Sequence, residues 1–382
     1  MRVAIIGGGI GGLTAALALA RHGIAPQVFE AAPALGEVGA GITISPNAGR
    51  VLDWLGLGER VRAEGVLPGN QHIRDLRTGR TLRTLARDSG LEAQYAAPYR
   101  HLHRADLVAM LSEALEALAP GAVQTGRRLT SVTASGTLAF ADGSRAVADV
   151  VVGADGVRSA VRDQLFATGT PQFTGQVAWR GLVPTAALGG AAREDPPGIH
   201  IGPGRLVLRY PLRAGQLTNY AIFVETEGWQ EESWSIPSTR AELLSHLPDA
   251  CPGVTGLVEA TPEAWLFKWA LFAREPLATW VAGRVTLLGD AAHAMLPFMG
   301  QGAATAIEDA AVLARALAAL PPEEALPRYE AARRERTSMV QLQSRLLGLQ
   351  FQGRDPEALG RGPLQNEEAL GLFAYDATAV PF

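Results

Sequence analysis

The sequence predicts an α/β fold in which a Rossmann-type nucleotide-binding domain is interrupted by an inserted antiparallel-sheet domain. Three observations predict this class. A glycine-rich turn joins an apolar strand to a helix near the amino terminus, short alternating runs fill residues 170–275, and α/β character returns from Val285. With 382 residues the chain is long enough for two domains.

The first unit follows the dinucleotide-binding order of strand, glycine turn, helix, strand and acid. Val3–Ile6 predicts a strand, a GxGxxG motif occupies residues 7–12, and Leu13–His22 predicts a helix. A second strand, Ala25–Phe29, ends at Glu30, eighteen residues beyond the last glycine of the motif. This context makes the glycine motif far more specific than the three glycines alone.

Each residue of this unit has an expected physical role. Gly7 permits the tight turn, Gly9 lets a pyrophosphate approach the backbone, and Gly12 allows close contact between helix and strand. The helix amino terminus offers unpaired N–H groups to the phosphates. Glu30 is placed to accept hydrogen bonds from a ribose with a free 2′-hydroxyl, which favours FAD or NAD over NADP.

The same stretch has two competing interpretations, because Val3–Ala20 carries no charge. Arg2 and the segment 18–20 resemble parts of a secretory signal, and a membrane span needs about 20 apolar residues. The glycine spacing favours a folded domain, so we expect no membrane association. The net charge of −4 indicates no nucleic-acid partner. Cys251 is the only cysteine, which excludes intramolecular disulfides and cysteine-rich metal sites; we expect a cytoplasmic protein without a metal.

The next elements are a helix and a strand meander. The helix begins at His103 and runs to about Leu118. Three strands are predicted over Leu129–Ala134, Thr137–Phe140 and Arg145–Val152, with Gly-containing turns between them.

Residues 170–275 change character, since alternating runs such as RLVLRYPL and TNYAIFVE lie between Gly and Pro turns and predict an antiparallel sheet. A strand follows at Val285, then a long helix over Ala303–Leu320 and a charged amphipathic helix over 329–350. No structure is predicted for the tail from Gln352.

These elements predict a discontinuous domain organisation. The nucleotide-binding domain comprises three segments, 1–72, 95–169 and 277–345. The inserted β-sheet domain, predicted to bind substrate, comprises 73–94 and 170–276. A carboxy-terminal helix and tail cover 346–382.

Two further glycine–acid motifs follow predicted strands. One is GADGVRS at 153–159, after ADVVV, and the other is GDAAH at 289–293, which continues through Pro297 into GQGAATAIEDA. Each places a carboxylate at the carboxyl end of a strand, where open α/β sheets bind ligands. Either motif alone is compatible with a turn before a capped helix. Three such motifs in this order are much more specific.

With these motifs, the chain resembles the single-component FAD-dependent aromatic hydroxylases, the group A flavoprotein monooxygenases. It is most similar to the branch of salicylate hydroxylase and 6-hydroxynicotinate 3-monooxygenase, and the resemblance implies a para-hydroxybenzoate hydroxylase-like fold. It rests on the segments GAGITISPNA (39–48), HRADL (103–107), GADGVRS (153–159), GQVAWRGLVP (175–184) and the block 289–310.

The resemblance implies an FAD site. The ADP half would contact Gly7, Gly9, Gly12, Glu30 and Ala31. Arg104 is implied at the phosphate or ribityl region, Leu129 beside the adenine, and Asp290 at the ribityl hydroxyls or pyrophosphate. The loop that contains Pro297, Gly300 and Gly302 would lie against the isoalloxazine, with the N–H groups of Ala303 and Ala304 facing its N1–C2=O edge. For the transient binding of NAD(P)H, the resemblance implies Asp155, Arg158 and Arg180 as candidates near the cleft.

The resemblance also implies the chemistry. In this family NAD(P)H reduces FAD, O2 forms a C4a-hydroperoxyflavin, and one oxygen atom passes to an electron-rich ring. The expected partners are a small phenolic or hydroxylated N-heteroaromatic substrate and O2. The sequence has a single GxGxxG motif and thus no second Rossmann site for the nicotinamide, and the resemblance implies that NADH or NADPH binds transiently over the flavin. A monomer or homodimer is expected.

Four residues are candidates for the substrate site. Tyr210 matches a substrate-contacting tyrosine of the branch, although a half-exposed strand tyrosine is the simpler alternative. His200 ends a predicted strand, where histidines are more often structural. Thr43 stands where the 6-hydroxynicotinate enzymes lead us to expect histidine. Phe298 replaces a histidine thought to act as base, so it would line the pocket without accepting a proton.

Two consequences follow from these candidates. Arg209 and Tyr210 are neighbours in one strand, so only one of them should face the flavin. The missing histidine also leaves open a different class of protein, a flavin-binding protein that holds an aromatic ligand without turnover.

Overall fold

The computed structural model describes residues 1–36, 41–166, 168–226 and 236–382, so the first two residues of the segment 39–48 lie outside the described part. In that part the strands, in chain order, are β1 (Val3–Ile6), β2 (Pro26–Phe29), β3 (Gly41–Ile44), β4 (Gly69–Asp75), β5 (Thr81–Arg87), β6 (Arg100–His103), β7 (Val123–Gln124), β8 (Leu129–Val132), β9 (Thr137–Phe140), β10 (Arg145–Val147), β11 (Val150–Gly153), β12 (Gln172–Pro184), β13 (Gly198–Gly202), β14 (Arg205–Leu212), β15 (Leu217–Glu225), β16 (Ile236–Pro237), β17 (Leu266–Ala273), β18 (Val281–Ala282) and β19 (Val285–Leu287).

The described helices are α1 (Ile10–Arg21), α2 (Pro46–Trp54), α3 (Gly58–Glu64), α4 (Ser89–Tyr95), α5 (Arg104–Leu118), α6 (Ala160–Leu165), α7 (Gly190–Glu194), α8 (Arg240–Ser245), α9 (Pro252–Glu259), α10 (Asp290–His293), α11 (Gly302–Ala319), α12 (Pro322–Phe351) and α13 (Pro356–Arg361). Short 3₁₀ helices lie at Thr185–Ala187, Glu263–Trp265, Pro297–Met299 and Leu372–Ala374. Among the described helices, none combines the length and apolar character that a membrane crossing requires.

A six-stranded sheet in the order β18-β19-β11-β1-β2-β7 carries the predicted Rossmann unit. β1 runs parallel to both β11 and β2, and β19 runs parallel to β11. The residues of β1 and β11 are all buried, as expected for strands covered on both faces. Leu13 of α1 and Val312 of α11 are 0% exposed, so both helices contribute to the core beside this sheet. The predicted α/β fold class is therefore confirmed.

Helix α1 begins at Ile10, three residues before the predicted start. Its first turn holds Gly11 and Gly12, where the absence of a side chain allows close packing. A Cβ at Gly12 would lie 2.0 Å from the carbonyl oxygen of Gly7, and one at Gly11 would lie 2.7 Å from the side chain of Leu288. Tertiary contact thus overrides the low helix propensity of glycine.

The predicted strand Arg145–Val152 is wrong as a single element. The structure divides it into β10, which pairs with β9 in a three-stranded antiparallel sheet, and β11, which lies in the parallel sheet. The division occurs where the N–H of Ala148 donates to the carbonyl of Gly136 and the N–H of Asp149 donates to that of Arg2, both at 3.0 Å. Only two residues separate β10 from β11, so the sequence pattern alone did not show the change of sheet.

The second large sheet has eight strands in the order β16-β17-β12-β15-β14-β13-β4-β5. Most pairs are antiparallel as predicted, but β13 and β4 run parallel. The predicted boundary between residues 72 and 73 falls inside β4, which starts at Gly69. The division into domains otherwise stays a prediction.

Alternation along β14 and β15 gives this sheet two distinct faces. We define the inner face by Leu206, Leu208 and Tyr210 of β14 with Asn219, Ala221 and Phe223 of β15, which pair across the two strands. The outer face carries Val207 and Tyr220, which pack in a separate apolar cluster with α8 and α9.

The tail from Gln352, for which no structure was predicted, is part of the folded core. Helix α12 is longer than the predicted 329–350 and contains Pro327. Beyond it, Phe373 is 0% exposed and packs edge-on against Tyr99 at 5.9 Å between ring centroids. The guanidinium of Arg50 donates to the carbonyl of Tyr375 at 2.7 Å. The tail therefore closes over α2 and the segment before β6.

Candidate functional site

The glycine turn after β1 lies directly against the second glycine–acid motif. Gly7 has φ +110°, a conformation that side chains disfavour, and a Cβ there would lie 2.4 Å from the carbonyl oxygen of Ala154. The N–H of Ala154 donates to the carbonyl of Ile6 at 2.8 Å. The parallel pairing of β1 with β11 thus brings two of the three sequence motifs together at the carboxyl edge of the sheet.

Gly9 leaves open space beside the backbone at the amino terminus of α1. It is the N-cap residue, no side chain caps the helix, and a Cβ at this position would meet no atom within 4 Å. The first N–H groups of a helix lack intrahelical partners and attract anions. Backbone donors beside free space fit a pyrophosphate, so the residues present are compatible with the ADP half of FAD.

Glu30 is held by the backbone on both sides of it. Its Oε2 accepts from the N–H of Gly8 and its Oε1 from the N–H of Ala32, each at 2.7 Å. Each carboxylate oxygen can accept a further hydrogen bond, which leaves acceptors for ribose hydroxyls. Ala31 lies between these anchored positions, so the acid and its neighbour are fixed relative to the glycine turn.

Two other predicted FAD contacts lie on separate elements. Leu129 starts β8, just after a loop in which the N–H of Arg127 donates to the carbonyl of Glu30 at 2.8 Å, so Leu129 is near the predicted adenosine end. Arg104 opens α5 directly after β6 and is partly buried. The structure thus places Leu129 at the start of a strand and Arg104 at the start of a helix; their contacts to the cofactor stay predictions.

The carboxylate of Asp155 accepts hydrogen bonds from residues of its own motif and of the helix that follows. Its Oδ1 accepts from the hydroxyl of Ser159 at 2.5 Å, and its Oδ2 accepts from the N–H of Val161 at 3.1 Å. Burial raises the pKa of Asp155 above the usual value for aspartate. The carboxylate therefore organises the start of α6, and its predicted place near a cofactor remains untested.

The third motif joins the loop before α11. Asp290 is exposed, and a Cβ at Gly302 would lie 3.8 Å from its Oδ1. Pro297 begins the 3₁₀ turn Pro297–Met299, and Gly300 ends it with φ +63°. The structure thus brings Asp290 to the amino terminus of α11, as the family resemblance implies for the two sides of one cofactor.

Helix α11 directs unpaired backbone donors toward this loop. Its first main-chain bond of i to i−4 type runs from the N–H of Thr305 to the carbonyl of Gln301 at 2.8 Å. The preceding N–H groups, including those of Ala303 and Ala304, have no intrahelical acceptor by helix geometry. They create a region of positive potential at which negative charge is stabilised.

A buried polar network beneath this loop was missed by sequence analysis. Asn47 donates to Oε1 of Gln301 at 3.0 Å and to Oε1 of Glu308 at 2.6 Å, and Ser45 donates to Oδ1 of Asn47 at 2.7 Å. Gln301 returns a bond to the hydroxyl of Ser45 at 3.1 Å. The network ties the start of α2 to the loop before α11. The sequence marks this network by polar residues that interrupt the apolar residues around α2 and α11.

The network continues into buried ion pairs. Arg333 of α12 lies 2.6 Å from Oε2 of Glu308 and 2.7 Å from Oδ1 of Asp309, and all three side chains are 0% exposed. Oδ2 of Asp309 lies 2.6 Å from Nε2 of His293. Interactions with His293 and Arg333 hold the pKa of Asp309 at about 2 despite its burial. These pairs fix α10, α11 and α12 around the third motif.

Of the four predicted substrate residues, Tyr210 lies on the inner face and Thr43 lies in β3 of the small neighbouring sheet. A Cβ at Gly41 would lie 2.5 Å from the hydroxyl of Tyr210, and the N–H of Gly41 donates to Oδ1 of Asn219 at 3.0 Å. Thr43 pairs in register with His101 across β3 and β6. The ring of His101 lies 4.3 Å from that of Tyr210. Sequence analysis did not single out His101.

Phe298 closes the other end of the inner face. Its ring packs edge-on against Phe223 at 5.1 Å, and a Cβ at Gly348 would lie 2.3 Å from it. Asn219 and Phe223 are four residues apart in β15, about 13 Å along a strand. We call the surface between Tyr210 and Phe298 the trough; its floor is formed by Leu208, Ala221 and Arg180, which pair across β14, β15 and β12.

Arg180 adds a cation to this largely apolar floor. Its guanidinium lies 5.4 Å from the ring centroid of Trp269 and 5.9 Å from that of Phe267. Aromatic faces support a guanidinium in such a position. The trough therefore combines aromatic and aliphatic walls with one positive group.

His200 lies on the outer face, away from the trough. It pairs with Val207, and its Nε2 is 3.3 Å from Oδ2 of Asp195. Arg209 donates to the same carboxylate at 3.0 Å, on the face opposite Tyr210, in agreement with the predicted alternation. The structure therefore does not bring His200 together with Tyr210, and the predicted catalytic role of His200 has no geometric support.

The comparisons with known proteins fit this geometry. A family model described as an FAD binding domain matches residues 1–343. The 3-amino-4-hydroxybenzoate 2-monooxygenase PtmB3 of Streptomyces platensis is 39% identical over 92% of this chain and 88% of its own. The 6-hydroxynicotinate 3-monooxygenase of Bordetella bronchiseptica is 37% identical over 89% of each chain.

Solved structures agree. That of Klebsiella pneumoniae HpxO with FAD and uric acid has a TM-score of 0.84 at 30% identity, over 98% of this chain and 95% of that one. A salicylate hydroxylase substrate complex has a TM-score of 0.82 at 31% identity, over 99% and 96%. The predicted family and the predicted FAD cofactor are confirmed.

Proposed function

We propose, because this chain belongs to the FAD-binding-domain family of aromatic monooxygenases, that it adds one hydroxyl group to a small, already hydroxylated aromatic ring. NAD(P)H supplies two electrons and O2 supplies the oxygen; one oxygen atom enters the ring and the other leaves as water. The observation that carries the proposal is the trough of the inner face, which lies beside the loop that the family resemblance assigns to the isoalloxazine.

Three groups of the chain would hold the cofactor. The backbone around Gly9 would bind the pyrophosphate, Glu30 the ribose, and Asp290 the remaining hydroxyls. When bound, FAD supplies the redox chemistry of hydride acceptance and oxygen activation. The N–H groups of Ala303 and Ala304 would stabilise negative charge at the pyrimidine edge of the ring system.

The trough is suited to a single aromatic ring. Its length of about 13 Å is set by strand spacing, and its walls are apolar or aromatic. Burial raises the pKa of Tyr210, which therefore stays protonated and acts as a hydrogen-bond donor. Arg180 on the floor would pair with a substrate carboxylate. The chain's own residues thus orient the ring and exclude water.

Phe298 narrows the substrate class. Phenylalanine cannot accept a proton, and neither Tyr210 nor Thr43 is a base at neutral pH. Activation by proton removal through these three residues is therefore weak, and rings that are electron-rich without ionisation are favoured. The names of the relatives include an amino-hydroxybenzoate, a ring of this kind.

The test is an assay of purified protein loaded with FAD. Hydroxylated and aminated benzoates and hydroxypyridines are added one at a time, and NADH and NADPH oxidation is followed. We expect stimulated oxidation with at least one ring and a product heavier by one oxygen atom by mass spectrometry. A yellow protein that binds rings and yields no oxygenated product would overturn the enzyme and support the ligand-binding alternative.

Two further properties are part of the proposal. We propose a monomer or homodimer, which light scattering of the FAD-loaded protein would decide. We also propose that the protein works in the reducing cytoplasm, since it has a single cysteine, Cys251.

A further inference from the structure

His101 is a buried imidazole at the Tyr210 end of the trough. Its side chain is 1% exposed, and its ring is tilted by 45° against that of Tyr210 at a centroid distance of 4.3 Å. Tyr99 contacts it from another side at 6.1 Å. Thr43 and His101 pair across β3 and β6, so their side chains lie on the same face of this small sheet. The ring contact shows that this face is turned toward Tyr210.

One nitrogen of this imidazole already has a partner. Nε2 lies 3.3 Å from the amide nitrogen of Gln71 in β4. An amide N–H donates, so Nε2 accepts, and a neutral ring then carries its proton on Nδ1. Burial lowers the pKa of His101 to about 3, so the ring is neutral near pH 7. Gln71 therefore selects the tautomer.

The other nitrogen has no acceptor in the described part of the chain. Nδ1 is buried and makes no hydrogen bond there. An unsatisfied buried donor is destabilising, and such groups in folded proteins call for an explanation. An oxygen atom of a bound molecule beside Tyr210 would satisfy it.

We propose that His101 is a specificity-determining residue that donates a hydrogen bond from Nδ1 to a ring hydroxyl oxygen of the substrate. This inference rests on the proposed function, since it names the substrate feature that the same trough recognises. A neutral donor suits a neutral hydroxyl oxygen, whereas a carboxylate is better matched by the guanidinium of Arg180, which lies farther along the floor.

The test measures binding without turnover. Dissociation constants of 3-hydroxybenzoate and benzoate, which differ by one ring hydroxyl, are obtained by calorimetry with FAD-loaded protein and no NAD(P)H. For His101→Phe, which keeps an aromatic ring beside Tyr210, we expect about tenfold weaker binding of 3-hydroxybenzoate and unchanged binding of benzoate. His101→Asn, which retains a donor close to the position of Nδ1, should recover most of the loss.

A matched control and a second variant complete the test. His246→Phe changes a histidine that also contacts an aromatic ring, Trp179 at 5.0 Å, but on the outer face, and should leave both constants unchanged. Gln71→Met removes the hydrogen bond that selects the tautomer. We expect it to weaken the binding of 3-hydroxybenzoate and to leave the binding of benzoate unchanged. This variant keeps the test decisive if His101→Phe does not fold.

Three outcomes would overturn the inference: an equal loss for both ligands in His101→Phe, no recovery in a folded His101→Asn, or no preference of the wild-type protein for the hydroxylated ligand. Selective binding by wild-type protein that never yields an oxygenated product would instead overturn the proposed function and leave the role of His101 standing.

Discussion

The ring of Tyr210 occupies the space that a side chain at Gly41 would need. A Cβ at Gly41 would lie 2.4 Å from Cε2 of Tyr210, and the N–H of Gly41 is held by Asn219 at 3.0 Å. The edge of the small β3–β6 sheet is therefore locked to the inner face of the large sheet at one point. This contact sets the position of the predicted substrate tyrosine.

Gly41→Ala should displace Tyr210 and lower kcat/KM for the best substrate by about tenfold or more, because a shift of about 1 Å at a binding group is costly. FAD content should stay unchanged. Gly189→Ala is the control, since a Cβ at Gly189 meets nothing within 4 Å. Tyr210→Phe tests the hydroxyl alone, and unaltered turnover in that variant would remove Tyr210 from the mechanism.

Substitution of Gly9 should lower FAD affinity, whereas substitution of Gly12 should lower stability. Gly9 has φ −76° and ψ −177° and an open Cβ position, so Gly9→Ala should fold normally and lose at least tenfold in FAD affinity. Gly12→Ala should lower the free energy of unfolding by about 1–3 kcal/mol, because its Cβ would lie 2.0 Å from a carbonyl oxygen. Urea unfolding of apoprotein and FAD fluorescence titration separate the two. Equal effects of both substitutions on FAD affinity and stability would contradict this assignment.

The ion pair of Asp309 with Arg333 predicts an acid-sensitive stability. The pKa of Asp309 is about 2 in the folded state and about 3.9 unfolded, so its charge contributes about 2 kcal/mol above pH 4. This contribution is lost as the pH falls from about 4 to about 2. The unfolding free energy of wild type minus that of Asp309→Asn should therefore shrink over this range. Glu113→Gln, at a pair with Arg60 in which both side chains are exposed, should change stability by less than about 0.5 kcal/mol at any of these pH values.

His200 should support stability and not catalysis. The bond to Asp195 raises the pKa of His200 above its usual value even though burial opposes protonation. Its contribution is therefore fully present below about pH 6.5 and is lost as the pH rises through the folded pKa. His200→Asn should lower the melting temperature most at pH 6 and leave KM for the aromatic substrate unchanged at 20 °C. A tenfold rise in KM with unchanged melting temperature would reverse this conclusion.

The sequence by itself determined the nucleotide-binding unit, since spacing and residue type encode a local structure. The strand Val3–Ile6, the GxGxxG turn and the acid at Glu30 are close in the chain, and glycine at Gly7 and Gly12 is required by backbone contacts that no other residue allows. Family resemblance assigned Asp290 to the cofactor and Tyr210 to the substrate, and these roles stay predictions; the structure places Asp290 beside the amino terminus of α11 and Tyr210 on the inner face.

Only the tertiary structure decided the rest. His200 and Tyr210 lie in adjacent strands of one apolar sheet, and strand pairing places their side chains on opposite faces. Sequence periodicity shows that a strand has two faces, but it does not show which face packs in the core and which lines the cleft. The hydrogen bonds of Asn47 with Gln301 and Glu308 join residues more than 250 positions apart. His101 becomes a candidate site residue because the fold places it beside Gln71 and Tyr210. Such contacts depend on how whole sheets and helices pack, so no local pattern in the chain records them.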